Sequence, residues 1–242
     1  MKLQVKDVSV TFEHKKILED LCLNVQEGEF VALIGPSGCG KSTLLNILAG
    51  VLEPEGGEVF VDGEQVKGVS AHFAYMPQSD LLLPWKTILD NVTLYGRLHG
   101  KKKEAREAAL KEFSVFGLQG YENAYPDELS GGMRQRAAFL RTALCSADIM
   151  LLDEPFGALD VITRNEMQDW LLKLRNELGR TTLLVTHDID EALYLADRIV
   201  VLGGHPAKVT REIDLSGVNK SRDWLYEQTD LRKEIHNILR HE

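Results

Sequence analysis

Gly35-Pro-Ser-Gly-Cys-Gly-Lys41-Ser42 has the spacing G-x-x-x-x-G-K-[ST]. Glycines at these intervals let backbone N–H groups close around phosphate oxygens, and a helix starting behind the loop adds partial positive charge. Gly35, Pro36, Ser37, Gly38, Cys39, Gly40 and Thr43 would line a polyphosphate. Lys41 would reach its β- and γ-phosphates, and Ser42 would offer a hydroxyl to Mg²⁺. Bound ATP is then expected to shield the Cys39 thiol from alkylation. The plain alternative is a glycine-rich turn, which the strand before it and the helix after it disfavour.

A second group is Ile149-Met-Leu-Leu-Asp153-Glu154, an apolar strand ending in two acids. Asp153 suits Mg²⁺ and Glu154 suits polarising an attacking water. Taken alone, the pair fits a helix N-cap equally well. His187 follows Thr182-Leu-Leu-Val-Thr186, again at a strand end. It could bond the γ-phosphate or the water, although a lone histidine is more often structural. Leu129-Ser130-Gly131-Gly132 opens a further helix, with Ser130 as its N-cap. It is either a second anion site or an ordinary capped helix.

These groups need elements to hold them. Leu3, Val5, Val8, Val10 and Phe12, then Leu21, Leu23 and Val25, are mostly spaced by two and predict strands. Phe30–Ile34, Asp148–Leu152, Thr181–Thr186 and Arg198–Leu202 read as buried strands. Helices are predicted over Lys41–Ala49, Lys101–Phe116 and Thr163–Leu178. Met167, Trp170, Leu171, Leu174 and Leu178 form one apolar face of the last of these, read as core. Alternating strands and helices imply an α/β fold with a parallel sheet. Ligands in such folds sit beyond the carboxyl ends of the strands, so Asp153, Glu154 and His187 would face the glycine-rich loop. The chain is expected to divide into a core at 1–85 and 143–214, a helical insertion at 86–142 and a helical tail at 215–242. Lys101-Lys102-Lys103 reads as a solvated helix start.

Composition excludes several classes. With 242 residues, 44% of them hydrophobic, the chain can bury a real core, so disorder is ruled out. Its net charge of −9 disfavours tracking along nucleic-acid phosphates. No run approaches the roughly 20 apolar residues of a membrane helix. The start has no signal-peptide core, and Cys22, Cys39 and Cys145 are too scattered for a disulfide frame or zinc site. The expectation is a soluble, reduced, cytoplasmic protein that would serve a membrane only through a partner.

The order of motifs is similar to that of one family. Over about residues 1–210 the chain resembles the ATP-binding subunit of ABC transporters. Walker A is 35–42, the Leu-Ser-Gly-Gly signature 129–132, Walker B 149–154, the D-loop Ala158-Leu159-Asp160 and the switch histidine His187. Gln78, in Tyr75-Met-Pro-Gln-Ser, resembles the Q-loop glutamine. Phe12 stands where the family usually places an adenine-stacking tyrosine. The resemblance implies a P-loop NTPase with a RecA-like parallel core, an N-terminal antiparallel β part and a helical signature subdomain. It implies catalytic roles for Lys41, Gln78, Glu154 and His187, and Mg²⁺ held through Ser42, Gln78 and Asp153. It also implies ATP contacts from Phe12, the 35–43 loop, Ser130, Gly131, Gly132 and Asp160.

In that family two subunits dimerise head to tail, with ATP between Walker A of one and the signature of the other. The stretch Leu81-Leu-Leu-Pro84-Trp85 resembles the nitrate/sulfonate/taurine importer group. Exposed Leu81–Leu83 and Trp85 would dock an integral-membrane permease, with a periplasmic or surface solute-binding protein as an indirect partner. The implied location is the cytoplasmic face of the cell membrane. The alternatives are an ABC-type ATPase acting on a non-membrane partner, an exporter ATPase, a non-hydrolytic scaffold and a small-molecule P-loop kinase. Intact Lys41, Asp153, Glu154 and His187 speak against the scaffold, and the unexplained signature speaks against the kinase.

Overall fold

The computed structural model describes residues 1–241, apart from the side chains of Asn176, Leu178 and His241. Strands β1 (Leu3–Phe12), β2 (Lys15–Val25) and β3 (Phe30–Ile34) lead into helix α1 (Lys41–Leu48). Strands β4 (Gly56–Val61), β5 (Glu64–Val66) and β6 (Phe73–Met76) follow. Then come α2 (Ile88–Val92), α3 (Leu94–Leu98), α4 (Lys102–Glu112) and α5 (Gly131–Ala143). Next, β7 (Ile149–Asp153), α6 (Val161–Leu178), β8 (Thr181–Val185), α7 (Ile189–Leu195) and β9 (Arg198–Gly203) alternate. The chain closes with β10 (Lys208–Asp214), α8 (Arg222–Glu227) and α9 (Thr229–His241).

Two sheets result. One is antiparallel, in the order β2-β1-β4-β5. The other runs β10-β9-β3-β8-β7-β6, parallel throughout except for β10. This is the α/β core with an N-terminal antiparallel part that the motifs implied. β3, β7 and β8 are buried at every position, Asp153 at the end of β7 and Thr181 and Thr182 at the start of β8 included.

Successive side chains of these strands serve opposite faces. Val31, Leu33, Leu151, Leu183 and Val200 join α1 and the antiparallel sheet in one core. Ala32, Ile34, Leu152, Leu184 and Val201 join the helices in the other. In the second core Phe116, Phe139, Phe156 and Trp170 pack edge to face, with ring centroids 4.7–5.9 Å apart. Met167 and Leu171 of the α6 stripe are buried there, with Trp170 and Leu174 packed alongside. The fifth residue of that stripe, Leu178, has its side chain outside the described residues, as does Glu242 of the tail.

The tail forms two helices, and both pack on α7. Leu225 and Ile235 are buried in the helical core. Arg222 lies over the Tyr194 ring at 3.8 Å and bonds Asp169 at 2.7 Å. Arg232 pairs with Asp190. One expectation fails: Leu82 is 7% exposed and belongs to the core, whereas Leu81 is 62% and Trp85 71% exposed. Leu83 is half-buried. The apolar cluster is thus split, and only its two ends face solvent.

Candidate functional site

Strand order decides the site. β8 lies between β3 and β7, so the loops at their carboxyl ends are neighbours. The glycine-rich loop leaves β3, Asp153 and Glu154 end β7, and His187 follows β8. Gly35 has room for no side chain: a Cβ there would stand 2.4 Å from the Leu202 carbonyl oxygen and 2.9 Å from Cys39 Sγ. Ser37 and Gly38 form the exposed crown of the loop, with Pro36 and Thr43 half-buried. Gly40, the N-cap of α1, places no side chain on the first-turn amides. They remain available to an anion.

Lys41 is buried and donates from Nζ to the carbonyl oxygens of Gly35 and Pro36, each at 2.8 Å. The ammonium is therefore held within the curl of the loop. Cys39 is buried beneath it, so the fold already covers the thiol before any nucleotide is bound.

Asp153 is buried at the end of β7. Burial raises its pKa; a hydrogen bond from Ser42 opposes this, the Glu154 charge adds to it, and Lys41 opposes it. Its Oδ1 atom is buried with no hydrogen-bond partner. A carboxylate oxygen left so, beside a serine hydroxyl, fits a cation. Among the described residues no cluster of three or more His, Cys, Asp or Glu could hold a metal. A cation at Asp153 would therefore need further oxygens, of the kind phosphates supply.

Glu154 has φ 47°, in the left-handed region that a residue with a Cβ rarely adopts. Its N–H donates to the Val185 carbonyl at 2.9 Å, which holds this bend against β8. One carboxylate oxygen accepts from Gln78 Nε2 at 3.0 Å and the other lies 3.2 Å from His187 Nδ1. Gln78 and His187 are exposed and Glu154 is half-buried. The structure thus brings together Gln78, Glu154 and His187, which sequence places 76 and 33 positions apart, and it sets Ser42 beside Asp153.

The remaining candidates lie around this group. Ser130 caps α5 by accepting the Met133 N–H at 3.3 Å, and Gly131 beside it is exposed. A Cβ on Gly132 would be 3.3 Å from the Ala158 carbonyl oxygen, so the signature glycine packs on the D-loop of its own chain. Among the described residues no hydrogen bond joins Ser130–Gly132 to the 35–43 loop. Asp160 caps α6, accepting from the Ile162 and Thr163 amides and the Thr163 hydroxyl. The Thr163 hydroxyl is the main cause of its lowered pKa. Phe12 sits exposed at the turn of the β1–β2 hairpin, whose Ile17 and Leu18 border Gly40.

Sequence reading missed Gln135. Buried in α5, it donates to the Glu154 carbonyl at 3.0 Å and accepts the Ala158 N–H at 2.9 Å. The available signal was a polar residue on the apolar face of the signature helix. It also missed Asn91, which is fully buried. Asn91 accepts the Leu83 N–H at 2.7 Å and donates to the carbonyls of Leu83, Lys86 and Thr87 at 3.0–3.1 Å. Arg141 bonds the carbonyls of Asp80 and Leu81, and Arg134 bonds the Asp80 carboxylate at 3.0 Å. Together these shape the turn that carries Leu81 and Trp85.

The site can be compared with known proteins. A sequence model described as ABC transporter matches residues 18–157. The taurine import ATP-binding protein TauB of Pseudomonas aeruginosa is 43% identical over 217 residues, covering 88% of this chain and 82% of that protein. The formylaminopyrimidine import ATP-binding protein ThiZ of Halalkalibacterium halodurans is 42% identical over 244 residues, covering 98% and 96%. An ATP-binding cassette solved as a dimer in a post-hydrolysis state with ADP and Pi superposes with TM-score 0.79 at 34% identity, covering 89% of this chain and all of that one.

Proposed function

The chain belongs to the ABC transporter family as an ATP-binding and hydrolysing subunit, and from that premise we propose that it energises uptake of a small solute through a membrane permease. The observation that carries the reading is the shared carboxylate of Glu154, flanked by Gln78 and His187 next to the Lys41 loop. The relatives differ in solute at nearly equal identity. The transported molecule is therefore set by the partners, and a nitrate-, sulfonate- or taurine-like solute is the class proposed.

The loop amides of 35–43 and Lys41 bind the β- and γ-phosphates, and Phe12 covers the adenine. Glu154 draws the proton from a water as its oxygen bonds to the γ-phosphorus and the bridging bond to ADP breaks. Gln78 and His187 hold the Glu154 carboxylate and the water in line. Ser42, Asp153 and Gln78 would hold Mg²⁺, which offsets phosphate charge when bound. Ser130, Gly131, Gly132 and Asp160 act across a head-to-tail homodimer on the partner's ATP. Hydrolysis removes one anion from between the halves and loosens them.

Residues 1–85 with 143–214 form the nucleotide-binding core, 86–142 the signature subdomain and 215–242 the tail. Among the described residues no helix is long and apolar enough to cross a membrane. The subunit then sits peripherally on the cytoplasmic face, docked to permease through Leu81 and Trp85. A periplasmic or surface solute-binding protein is the indirect partner, and no nucleic acid takes part. The test is Glu154→Gln in the full chain. It should bind ATP with unchanged affinity, hydrolyse it more slowly by about 10² or more, and accumulate as a dimer in size exclusion. Normal turnover would remove Glu154 as the base.

A further inference from the structure

Behind the site lies a polar cluster that none of the roles above uses. Arg164, in the first turns of α6, spreads its guanidinium between two loops. One terminal nitrogen donates to the Leu159 carbonyl at 3.2 Å, in the D-loop. The other donates to the Asp188 carboxylate at 3.3 Å, one residue beyond His187. Its Nε is buried, lacks a hydrogen-bond partner and stands 3.8 Å from Glu191 Oε1.

Glu191 is buried in α7. Its second oxygen accepts the Thr186 hydroxyl at 2.7 Å, one residue before His187. The Thr186 hydroxyl oxygen in turn accepts the Asp188 N–H at 3.0 Å, and Asp188 caps α7. Residues 186 and 188, on either side of the histidine, are thus bonded to the pair. So is the carbonyl of Leu159, immediately before Asp160.

We propose that Arg164 and Glu191 are positioning residues that fasten the D-loop and the switch-histidine turn into one unit, so that His187 reaches Glu154 only when the D-loop is seated. A planar, always-charged fork can serve acceptors on two loops at once, which an ammonium on a flexible stem cannot. In a buried setting the loss of one member leaves the others unsatisfied, so the unit shifts together rather than piecemeal. The inference rests on ATP hydrolysis at this site.

The test uses the full-length chain at pH 8, above the value of about 7 to which burial pushes the Glu191 carboxyl. Steady-state hydrolysis, ATP affinity from a fluorescent analogue and thermal melting are measured together. Arg164→Ala should lower kcat about tenfold or more, because small misplacements of catalytic groups are costly, while ATP affinity stays within about twofold of wild type. Arg164→Lys should rescue little. The His187 ring resonance, assigned by its loss in His187→Ala, should shift in both Arg164 variants.

Folded Arg164→Ala with wild-type kcat, or with a kcat loss matched by lost ATP affinity, would overturn the proposal. So would an unmoved His187 resonance. If Arg164→Ala does not fold, the isosteric Glu191→Gln decides: a kcat fall of about threefold or more supports the coupling, and wild-type kcat refutes it. The double variant should lose no more activity than the more impaired single variant does, because contacting residues do not add; additive losses refute a common unit. A wild-type chain that fails to hydrolyse ATP would overturn the function and the coupling with it, whereas active wild type with unaffected variants counts against the coupling alone.

Discussion

Lys41 is placed to serve both the loop's structure and the phosphate binding proposed for it. Its ammonium is satisfied by the Gly35 and Pro36 carbonyls at 2.8 Å, so the loop keeps its curl around it. Lys41→Ala should weaken ATP binding by about 1.5–3 kcal/mol, the worth of a charge-assisted contact. Calorimetric titration reads this directly, and unchanged affinity would contradict the phosphate-binding role. Glu191 gives a pH prediction. Burial pushes its carboxyl from an ordinary 4.5 up to about 7, against the Thr186 hydroxyl bond, with Asp188 adding to the rise and Arg164 and His187 opposing it. The folded chain thus holds this proton more tightly than the unfolded one. Stability from this group is fully present below about pH 4.5 and falls as pH rises through about 7, by on the order of 3 kcal/mol. Urea unfolding should show that Glu191→Gln flattens this slope; a slope equal to wild type would refute it. The places of Lys41, Asp153 and Glu154 were legible in sequence because each stands at fixed spacing within a short local motif. Gln135, Arg164 and Glu191 were not, because their partners are set by packing between elements distant along the chain.

At the scale of elements, the 80–92 stretch divides its apolar residues by depth. Leu82 fills the helical core while Leu81 and Trp85 remain outside. Leu82→Ala should therefore cost about 2–5 kcal/mol of folding stability, as buried leucines do. Leu81→Ser with Trp85→Ser should change stability little and abolish co-purification with the permease, leaving ATP binding intact. Denaturant titration and pull-down separate the two, and retained permease binding by the double variant would sink the docking assignment. Sequence could not divide the cluster, since a turn has no period to assign its side chains to a face. Leu81 itself has φ 42°, a bend that no propensity anticipates. The buried strands were readable for the opposite reason: each centres on consecutive apolar residues with no polar position between them. β10 escaped because as an edge strand it is almost wholly exposed or half-buried, and β6 because it is only four residues long.

For the molecule as a whole, one parallel sheet serves two cores, and the C-terminal helices close the second of them. Leu225 and Ile235 are as much core as the strands are. Lys220 reaches the Ala196 carbonyl, and Arg222 and Arg232 tie the tail to α6 and α7. Ile235→Ala should cost about 2–5 kcal/mol, and removing 219–242 should lower the melting temperature further; a truncated chain as stable as the full one would show the tail to be a dispensable appendage. The overall charge of −9 also takes on a local meaning. On the proposed reading, the positive elements for ATP are a single lysine and a helix start, set beside acids of the same site. Asn91, with Arg134 and Arg141, fixes the turn from within through backbone atoms, which are the same whatever side chains stand at 81 and 85. The frame and the contact tip can therefore evolve separately. On the proposed docking, substitutions at these two outward-facing positions would alter the contact with a permease while the hydrogen bonds that hold the turn stay as they are.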